Sequence, residues 1–309
     1  MNICITGPLG HIGSKFIRNL AISDLNKVYL VDNFATQRYA SLFELPSQIK
    51  YHFHEMDILS DAIEPIISDS DILVHLAAIT NAETSFNDPE KVHRVNRGGV
   101  EKVARLCAKH HCRMIFPSTT SVYGSQESLV DENCLDLKPQ SPYADSKLAA
   151  EKFLQNLAKE QEFNFVILRL GTIFGYSIGM RFHTAVNRFT WQAVTGQDIT
   201  VWKTALNQKR PYCGLNDCIS ALNHVIDTNI FDREVYNVVT VNLTVKNIID
   251  LIAKFIPDIS VKFVDSAIMN QLSYNVCNKK SLEGGFSYND KLQDCILETI
   301  EKLKNICQR

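Results

Sequence analysis

The sequence predicts an α/β fold, a doubly wound parallel sheet followed by a smaller α/β lobe, and three observations carry that reading. Short apolar runs alternate with helical segments through the first two thirds of the chain. A run of glycines joins the first apolar run to the first helix. Residues suited to acid/base work collect at the carboxyl ends of the runs, the edge at which open α/β sheets bind ligands. At 309 residues, 45% of them hydrophobic, the chain exceeds the usual single-domain size and can bury a large core. Two lobes are expected: residues 1–175 around the sheet and residues 176–309 mainly in the smaller lobe, with a segment near 210–240 returning to the first.

The first strand is Met1–Ile5, which runs into Thr6-Gly7-x-x-Gly10-x-x-Gly13, and Ser14–Leu20 reads as the helix after the turn. Glycines there let main-chain N–H groups and the positive end of a helix approach a pyrophosphate, and the last glycine lets the helix lie close on the strand. A second strand, Lys27–Val31, ends at Asp32, nineteen residues after Gly13. An acid at this place accepts hydrogen bonds from ribose hydroxyls and repels a 2′-phosphate, which favours NAD over NADP. Arg38, in the following loop, either meets such a phosphate or is a solvated surface charge.

Further strands are expected at Tyr51–Met56, Asp71–Leu76, Arg113–Phe116 and Phe165–Leu170, with helices between them, notably Pro89–His110 and Ser146–Lys159. Beyond about Gly175 the pattern becomes irregular. Helices are expected near Thr184–Thr195, Asp217–Thr228, Val245–Phe255 and Asp290–Lys304, with a returning strand near Val235–Val238.

Tyr143 and Lys147 are four residues apart, so on a helix they share one face. A phenol with a pKa of about 10 is a poor base at neutral pH, and an ammonium close by favours its phenolate. Thr119 ends the preceding strand, where its hydroxyl can bridge Tyr143 and a substrate oxygen. Such a set takes a proton from a carbinol while hydride leaves the same carbon for a nicotinamide.

Charge and cysteine usage exclude other classes. Lysine and arginine total 32 against 34 acids, a net charge of −2, which points to neither nucleic acid nor a membrane surface as partner. Nine cysteines, at 4, 107, 112, 134, 213, 218, 277, 295 and 307, form no Cys-x-x-Cys pairs and are expected to be reduced thiols of a cytoplasmic protein without a secretory leader. Cys107/Cys112 and Cys213/Cys218 lack zinc-site spacing, so no metal is expected. No stretch of about 20 apolar residues suggests a transmembrane helix.

Together these motifs resemble the extended short-chain dehydrogenase/reductases of the NAD-dependent epimerase/dehydratase family, the group that includes UDP-galactose 4-epimerase. The resemblance covers nearly the whole chain. It runs through Thr6-Gly7-x-x-Gly10-x-x-Gly13, Asp32-Asn33, Asp57-Ile58, His75-Leu76-Ala77-Ala78, Asn96, Ser118-Thr119-x-x-Val122-Tyr123-Gly124, Tyr143-x-x-x-Lys147 and Arg169-Leu170-Gly171-Thr172-Ile173-Phe174-Gly175. It implies a Rossmann-type sheet that binds NAD through Gly7, Gly10, His11, Ile12, Gly13, Asp32, Asn33 and Thr36. Asp57 and Ile58 would flank the adenine, and Leu76, Ala77 and Ala78 would line the dinucleotide. Asn96 would sit in the helix behind the active site, and Tyr143 and Lys147 would contact the nicotinamide side.

For a nucleotide-activated sugar, the resemblance offers Thr80, Asn81, Ser85, Thr119, Thr172 and Arg210, the last as a diphosphate clamp with forked donors. Thr80, Asn81 and Ser85 read equally well as turn chemistry. Where related 4,6-dehydratases carry an Asp-Glu pair, this chain has Thr120 and Ser121. Dehydration is therefore not expected. The family's asparagine near Thr172 and its second arginine near Ser273-Tyr274-Asn275 are also missing, which leaves the sugar and its nucleotide open. Three activities remain: an epimerase working through a transient 4-keto sugar, a reductase or dehydrogenase of a (keto-)sugar nucleotide, and a non-catalytic NAD-binding protein. A homodimer is expected through the helices holding Pro89–His110 and Tyr143–Lys159, because Leu148, Ala149, Ala150, Phe153, Leu154 and Leu157 exceed what one sheet-facing stripe requires.

Overall fold

The computed structural model describes residues 1–21, 25–265 and 273–306. From the amino terminus come β1 (Asn2–Thr6), α1 (His11–Phe16), β2 (Lys27–Asp32), β3 (Tyr51–Glu55), α2 (Glu64–Ser68), β4 (Ile72–His75), α3 (Pro89–His93), α4 (Gly99–Lys109) and β5 (Arg113–Thr119). There follow β6 (Leu129–Val130), α5 (Pro142–Glu160), β7 (Phe165–Leu170), β8 (Thr172–Phe174), α6 (Ala185–Val194), β9 (Ile199–Trp202) and β10 (Lys209–Gly214). The chain continues through α7 (Leu215–Asp227), β11 (Val235–Val238), β12 (Val241–Thr244), α8 (Val245–Phe255), β13 (Val261–Val264), β14 (Asn275–Val276), α9 (Lys279–Glu283) and α10 (Leu292–Leu303).

Seven strands form one sheet in the order β3-β2-β1-β4-β5-β7-β11, every neighbour parallel. Helices cover both faces, so the central strands have no solvent side and read as unbroken apolar runs. All six residues of β7 are buried, as are all four of β4. One face packs Phe16 and Ile17 with Cys218, Leu222 and Val225 of α7; the other packs Val103 and Cys107 of α4 with Ala150 and Leu154 of α5. A second core joins Phe189 of α6, Ile248 and Ile252 of α8 and Ile296 of α10 around β9. Smaller sheets complete the chain: β12-β10-β8, and the pairs β13-β9 and β14-β6.

Three helices depart from the sequence expectation for identifiable local reasons, and the strand expected at Arg113–Phe116 runs on to Thr119. The first helix starts at His11 rather than Ser14, because Gly10 is extended and caps it, and it ends at Phe16 rather than Leu20. The expected helix from Pro89 to His110 is interrupted by a π-turn over Arg94–Gly98, where Asn96 directs its side chain to the backbone of Ile79. The catalytic helix begins before Ser146: the Ser141 hydroxyl accepts the Ala144 amide at 3.2 Å and Pro142 takes the first helical position, where its missing N–H costs nothing. Tyr143 is thus already helical.

The apolar surplus on α5 is mostly internal. Leu148, Ala150, Leu154 and Leu157 are buried within the chain, leaving Ala149 and Phe153 partly exposed.

Two glycines after β1 are required by space. Gly7 has φ +70°, and a Cβ there would lie 2.6 Å from the Ala77 nitrogen beyond β4; a Cβ on Gly13 would lie 2.5 Å from the Gly7 carbonyl oxygen. Backbone cannot yield as a flexible side chain can, so Gly13→Ala should destabilise by about 1–3 kcal/mol and lower Tm by several degrees in scanning calorimetry. An unchanged Tm would refute the close approach.

Candidate active site

The glycine turn and the end of β4 form one wall of a cleft of about 360 Å³. Gly7, Gly10, His11, Ile12, Gly13, Leu76 and Ala78 line it, and Ala77 lies behind, its amide donating to the Thr6 hydroxyl at 3.4 Å. The Gly7 and Gly10 amides donate to the Val31 and Gly7 carbonyls at 2.9 and 3.3 Å, so the N–H groups the turn offers a pyrophosphate are those of the first turn of α1. His11 bonds the Gly175 carbonyl through Nε2 at 2.8 Å, so this nitrogen carries the proton. Burial holds its pKa down to about 4 despite that bond, with His183, Arg38 and Arg181 adding repulsion.

At the far end, Asp32 is half-buried and accepts amides of Phe34 at 3.0 Å and Leu9 at 3.4 Å. Burial raises its pKa, opposed by those amides and by the charge of Arg38. Arg38 is therefore not simply a solvated charge. It stands beside Asp32, and its Nη1 is buried without a hydrogen-bond partner among the described residues. Asn33 reaches Asp57 at 3.0 Å, while Ile58 is buried against Gly99 and Thr36 is exposed in the turn between them and Arg38. Asp32, Asn33, Thr36, Arg38, Asp57 and Ile58 lie outside the cleft wall.

The acid/base candidates converge from α5 and β5. The Thr119 oxygen accepts the Ser121 amide at 3.1 Å, leaving its own proton for Tyr143, to which it is hydrogen-bonded. Both line the cleft. Lys147 is 4% exposed, donates to the Pro117 carbonyl at 2.8 Å and lies 4.5 Å over the Phe116 ring. Burial lowers its pKa to about 8, against the opposing charge of Glu151. Here the electrostatics correct the sequence expectation. Burial pushes Tyr143 up to about 12; Thr119 pulls it down, Tyr274 adds to the rise, and the cation pulling it down is Arg181. Lys147 has turned its ammonium to the sheet, a partner that spacing does not reveal.

The proposed substrate residues divide. Thr80, Asn81, Thr172 and Arg210 line the cleft, and Nε of Arg210 is buried without a partner among the described residues. The Asn81 carbonyl is occupied by the amides of Glu83 and Thr84 at 3.0 and 3.2 Å, a turn of its own making. Ser85 and Asn96 lie off the cleft: Asn96 is in the helix behind it, as the resemblance implies, and Ser85 takes the turn role rather than a place on the wall. Ser85 is buried off the cleft, where it accepts the Tyr143 amide at 3.3 Å and donates to the Ala82 carbonyl at 2.6 Å. Asn96, also buried off the cleft, spans the Ile79 amide at 2.8 Å, its carbonyl at 2.9 Å and the Ser146 hydroxyl at 3.1 Å. Both hold the loop after β4 against the start of α5.

Sequence reasoning missed three residues at the site. Arg181, which donates to the Thr80 hydroxyl, and His183 line the cleft from the segment after β8. Tyr274 is buried beneath it, 3.4 Å from the Thr120 hydroxyl. Neither of the first two belongs to a motif shared with the family, so the sequence carried no positive signal for them.

The parallel sheet, the glycine cradle and the Thr119/Tyr143/Lys147 set define the extended short-chain dehydrogenase/reductase class. The profile of the NAD dependent epimerase/dehydratase family matches residues 3–238, and the chain belongs to that family of NAD-dependent enzymes. It is 26% identical over 235 residues to an uncharacterized UDP-glucose epimerase of Bacillus subtilis, covering 73% of this chain and 72% of that one. It is 26% identical over 277 residues to UDP-glucuronic acid decarboxylase 6 of Arabidopsis thaliana, covering 86% and 78%. The crystal structure of UDP-glucuronic acid 4-epimerase from Bacillus cereus, in complex with UDP-glucuronic acid and NAD, superposes with a TM-score of 0.89 at 27% identity, over 98% of this chain and 100% of that one.

With Asp32 at the end of β2, NAD should bind about tenfold or more tightly than NADP, at least about 1.4 kcal/mol, and Asp32→Ala should narrow the gap. Titration calorimetry reads both affinities; tighter NADP binding by the unaltered protein would show that Arg38 sets the preference.

Proposed function

We propose that the protein is a nucleotide-sugar epimerase that inverts C4 through a transient 4-keto sugar. The observation that carries the reading is continuity: one cleft runs from the glycine turn, past Tyr143 and Thr119, to Arg210. A dinucleotide on the turn and a sugar nucleotide clamped at Arg210 would meet at the phenol. The complexes of structural relatives with nucleotide sugars and NAD support the same pairing.

The cradle that lacks room for side chains at Gly7 and Gly13 fits NAD. When bound, NAD supplies acceptance and return of hydride at the sugar carbon. Tyr143 takes the proton of the C4 hydroxyl and returns it after the ketone presents its other face. Thr119 holds that oxygen by hydrogen bonding, Lys147 would turn from the Pro117 carbonyl to secure the nicotinamide side, and Arg210 anchors the diphosphate while the sugar turns. Thr120 and Ser121 place hydroxyls where dehydration would need acids, and Thr120 is itself bonded to the Leu170 carbonyl at 3.3 Å. The eight described cysteines are free thiols, which supports a cytoplasmic setting.

The test is what the purified protein carries and does. Denaturation should release about one NAD per chain by mass spectrometry, since an epimerase regenerates its cofactor at every turnover. Tyr143→Phe should keep that NAD and lose about 10² or more in turnover of a UDP-sugar to its 4-epimer. An empty enzyme that consumes added NADH stoichiometrically would establish the reductase instead.

We also propose a two-fold dimer through α4 and α5. With most apolar positions of α5 internal, its support narrows to the exposed parts of Ala149 and Phe153, the latter under the Arg105 guanidinium at 5.1 Å. Light scattering at micromolar concentration should give twice the 35.0 kDa of one chain. A single-chain mass would refute it.

A further inference from the structure

Three consecutive residues at the end of β5 each bond to a different turn of α5. The Thr119 hydroxyl meets Tyr143, the Pro117 carbonyl accepts from Lys147 at 2.8 Å, and the Ser118 hydroxyl donates to Glu151. Tyr143, Lys147 and Glu151 are spaced by four, so they form one stripe along the helix. Glu151, 1% exposed, is gripped from β7: Arg169 Nε lies 3.2 Å from both carboxylate oxygens and Nη2 lies 2.7 Å from one. Arg169 also donates to the Tyr123 hydroxyl at 3.0 Å, which donates to Asn237 of β11 at 2.9 Å.

We propose that Glu151 is a positioning residue of the reaction, fixing the register of α5 on β5 and keeping the buried Lys147 ammonium charged. This rests on the reading of Tyr143 and Lys147 as the acid/base pair, which Tyr143→Phe tests separately. A buried ammonium is penalised by desolvation and needs a counter-charge. The groups facing Lys147 are Glu151 on its own helix, His75 of β4, the Phe116 ring and Pro117 carbonyl of β5, and Arg169 of β7 behind Glu151. Burial and the Lys147 charge hold His75 down to about 3, so it is neutral through the working range. Among these groups the negative charge is that of Glu151.

The direct test reads Lys147 itself. NAD-loaded enzyme labelled with 13Cε-lysine is titrated by NMR, with Lys147→Arg identifying the resonance. Because Glu151 raises the pKa of Lys147, Glu151→Gln should lower the midpoint by about one pH unit, while Glu151→Asp, which keeps the charge, should restore most of it. On UDP-glucuronic acid or UDP-glucose, kcat of Glu151→Gln should fall about tenfold or more with KM nearly unchanged, and the alkaline limb of kcat should move to lower pH. A folded, NAD-loaded Glu151→Gln with the wild-type Lys147 midpoint would overturn the proposal. If that variant does not fold, Ser118→Ala decides: it releases the carboxylate from β5 but keeps its charge, so the Lys147 midpoint should stay while kcat falls several-fold, and a wild-type kcat in this variant would overturn the positioning role. Loss of turnover in Tyr143→Phe beside an unchanged Glu151→Gln would remove the positioning role alone and leave the epimerase reading intact.

Discussion

The cleft depends on how closely two backbones approach where the chain order of the sheet reverses. β1 lies between β2 and β4, so the connections from β1 and β4 leave in opposite directions and open a crevice above their carboxyl ends. A side chain at Gly7 would fill that crevice with its first atom. Thr6 ties the two strand ends together: its hydroxyl accepts the Ala77 amide and is hydrogen-bonded to His75 Nδ1 at 2.9 Å. The dinucleotide cradle is thus a property of backbone spacing at the switch point, and side chains matter there mainly by being absent or by holding the spacing.

The second core is fixed on this frame by polar bonds as well as by packing. Asp217, buried at the start of α7, accepts the amides of Asn289 and Asp290 at 2.7 and 3.1 Å and the Thr240 hydroxyl at 2.6 Å. Asp290 in turn accepts the Asn216 amide at 2.8 Å. One carboxylate thereby satisfies main-chain donors from the segment leading to α10, a service that apolar contact cannot perform. Beside the active site the Glu151/Arg169 pair is dearer: two buried charges cost several kcal/mol to desolvate, and their attraction offsets this only with good geometry and full hydrogen bonding. The pair has both, since Ser118 and Tyr123 take remaining valences. Its justification lies in register, because an apolar pair of similar size would tolerate a slip of α5 that these directional bonds forbid.

Much of this was legible in the sequence because a sheet covered on both faces leaves a plain record. β1, β2, β4 and β7 are apolar runs that end at Thr6, Asp32, His75 and Leu170, close to where the pattern stops. Tyr143 and Lys147 were legible through helical spacing, and Gly7 and Gly13 through the turn they make possible. What stayed hidden depends on partners distant in sequence. Nothing near Ser85 says that its hydroxyl serves the Tyr143 amide, and nothing near Lys147 says that it bonds the Pro117 carbonyl. Main-chain acceptors carry no letter. The apolar surplus on α5 misled for a related reason: Leu148 is buried among Val122, Tyr123 and Tyr274 rather than against the sheet, a neighbourhood that a two-layer picture of helix and sheet omits.

The segment after β8 bears on whether a bound dinucleotide stays. It is fastened directly to the glycine turn and α1: His11 bonds the Gly175 carbonyl, the Ser177 hydroxyl donates to the His11 carbonyl at 2.9 Å, and the Gly179 amide donates to the Ser14 hydroxyl at 3.0 Å. From this anchor the chain carries Arg181 and His183 to the cleft wall opposite Thr80. The cradle is therefore closed on a second side by the segment after β8, a strap held by bonds to the same helix whose first turn would face the phosphates. A cofactor exchanged at every turnover needs such a strap to open each time, at the cost of those bonds. An enzyme that returns its hydride to the same sugar has no such need, so the closed cradle supports a resident cofactor and, with it, epimerisation over one-way reduction.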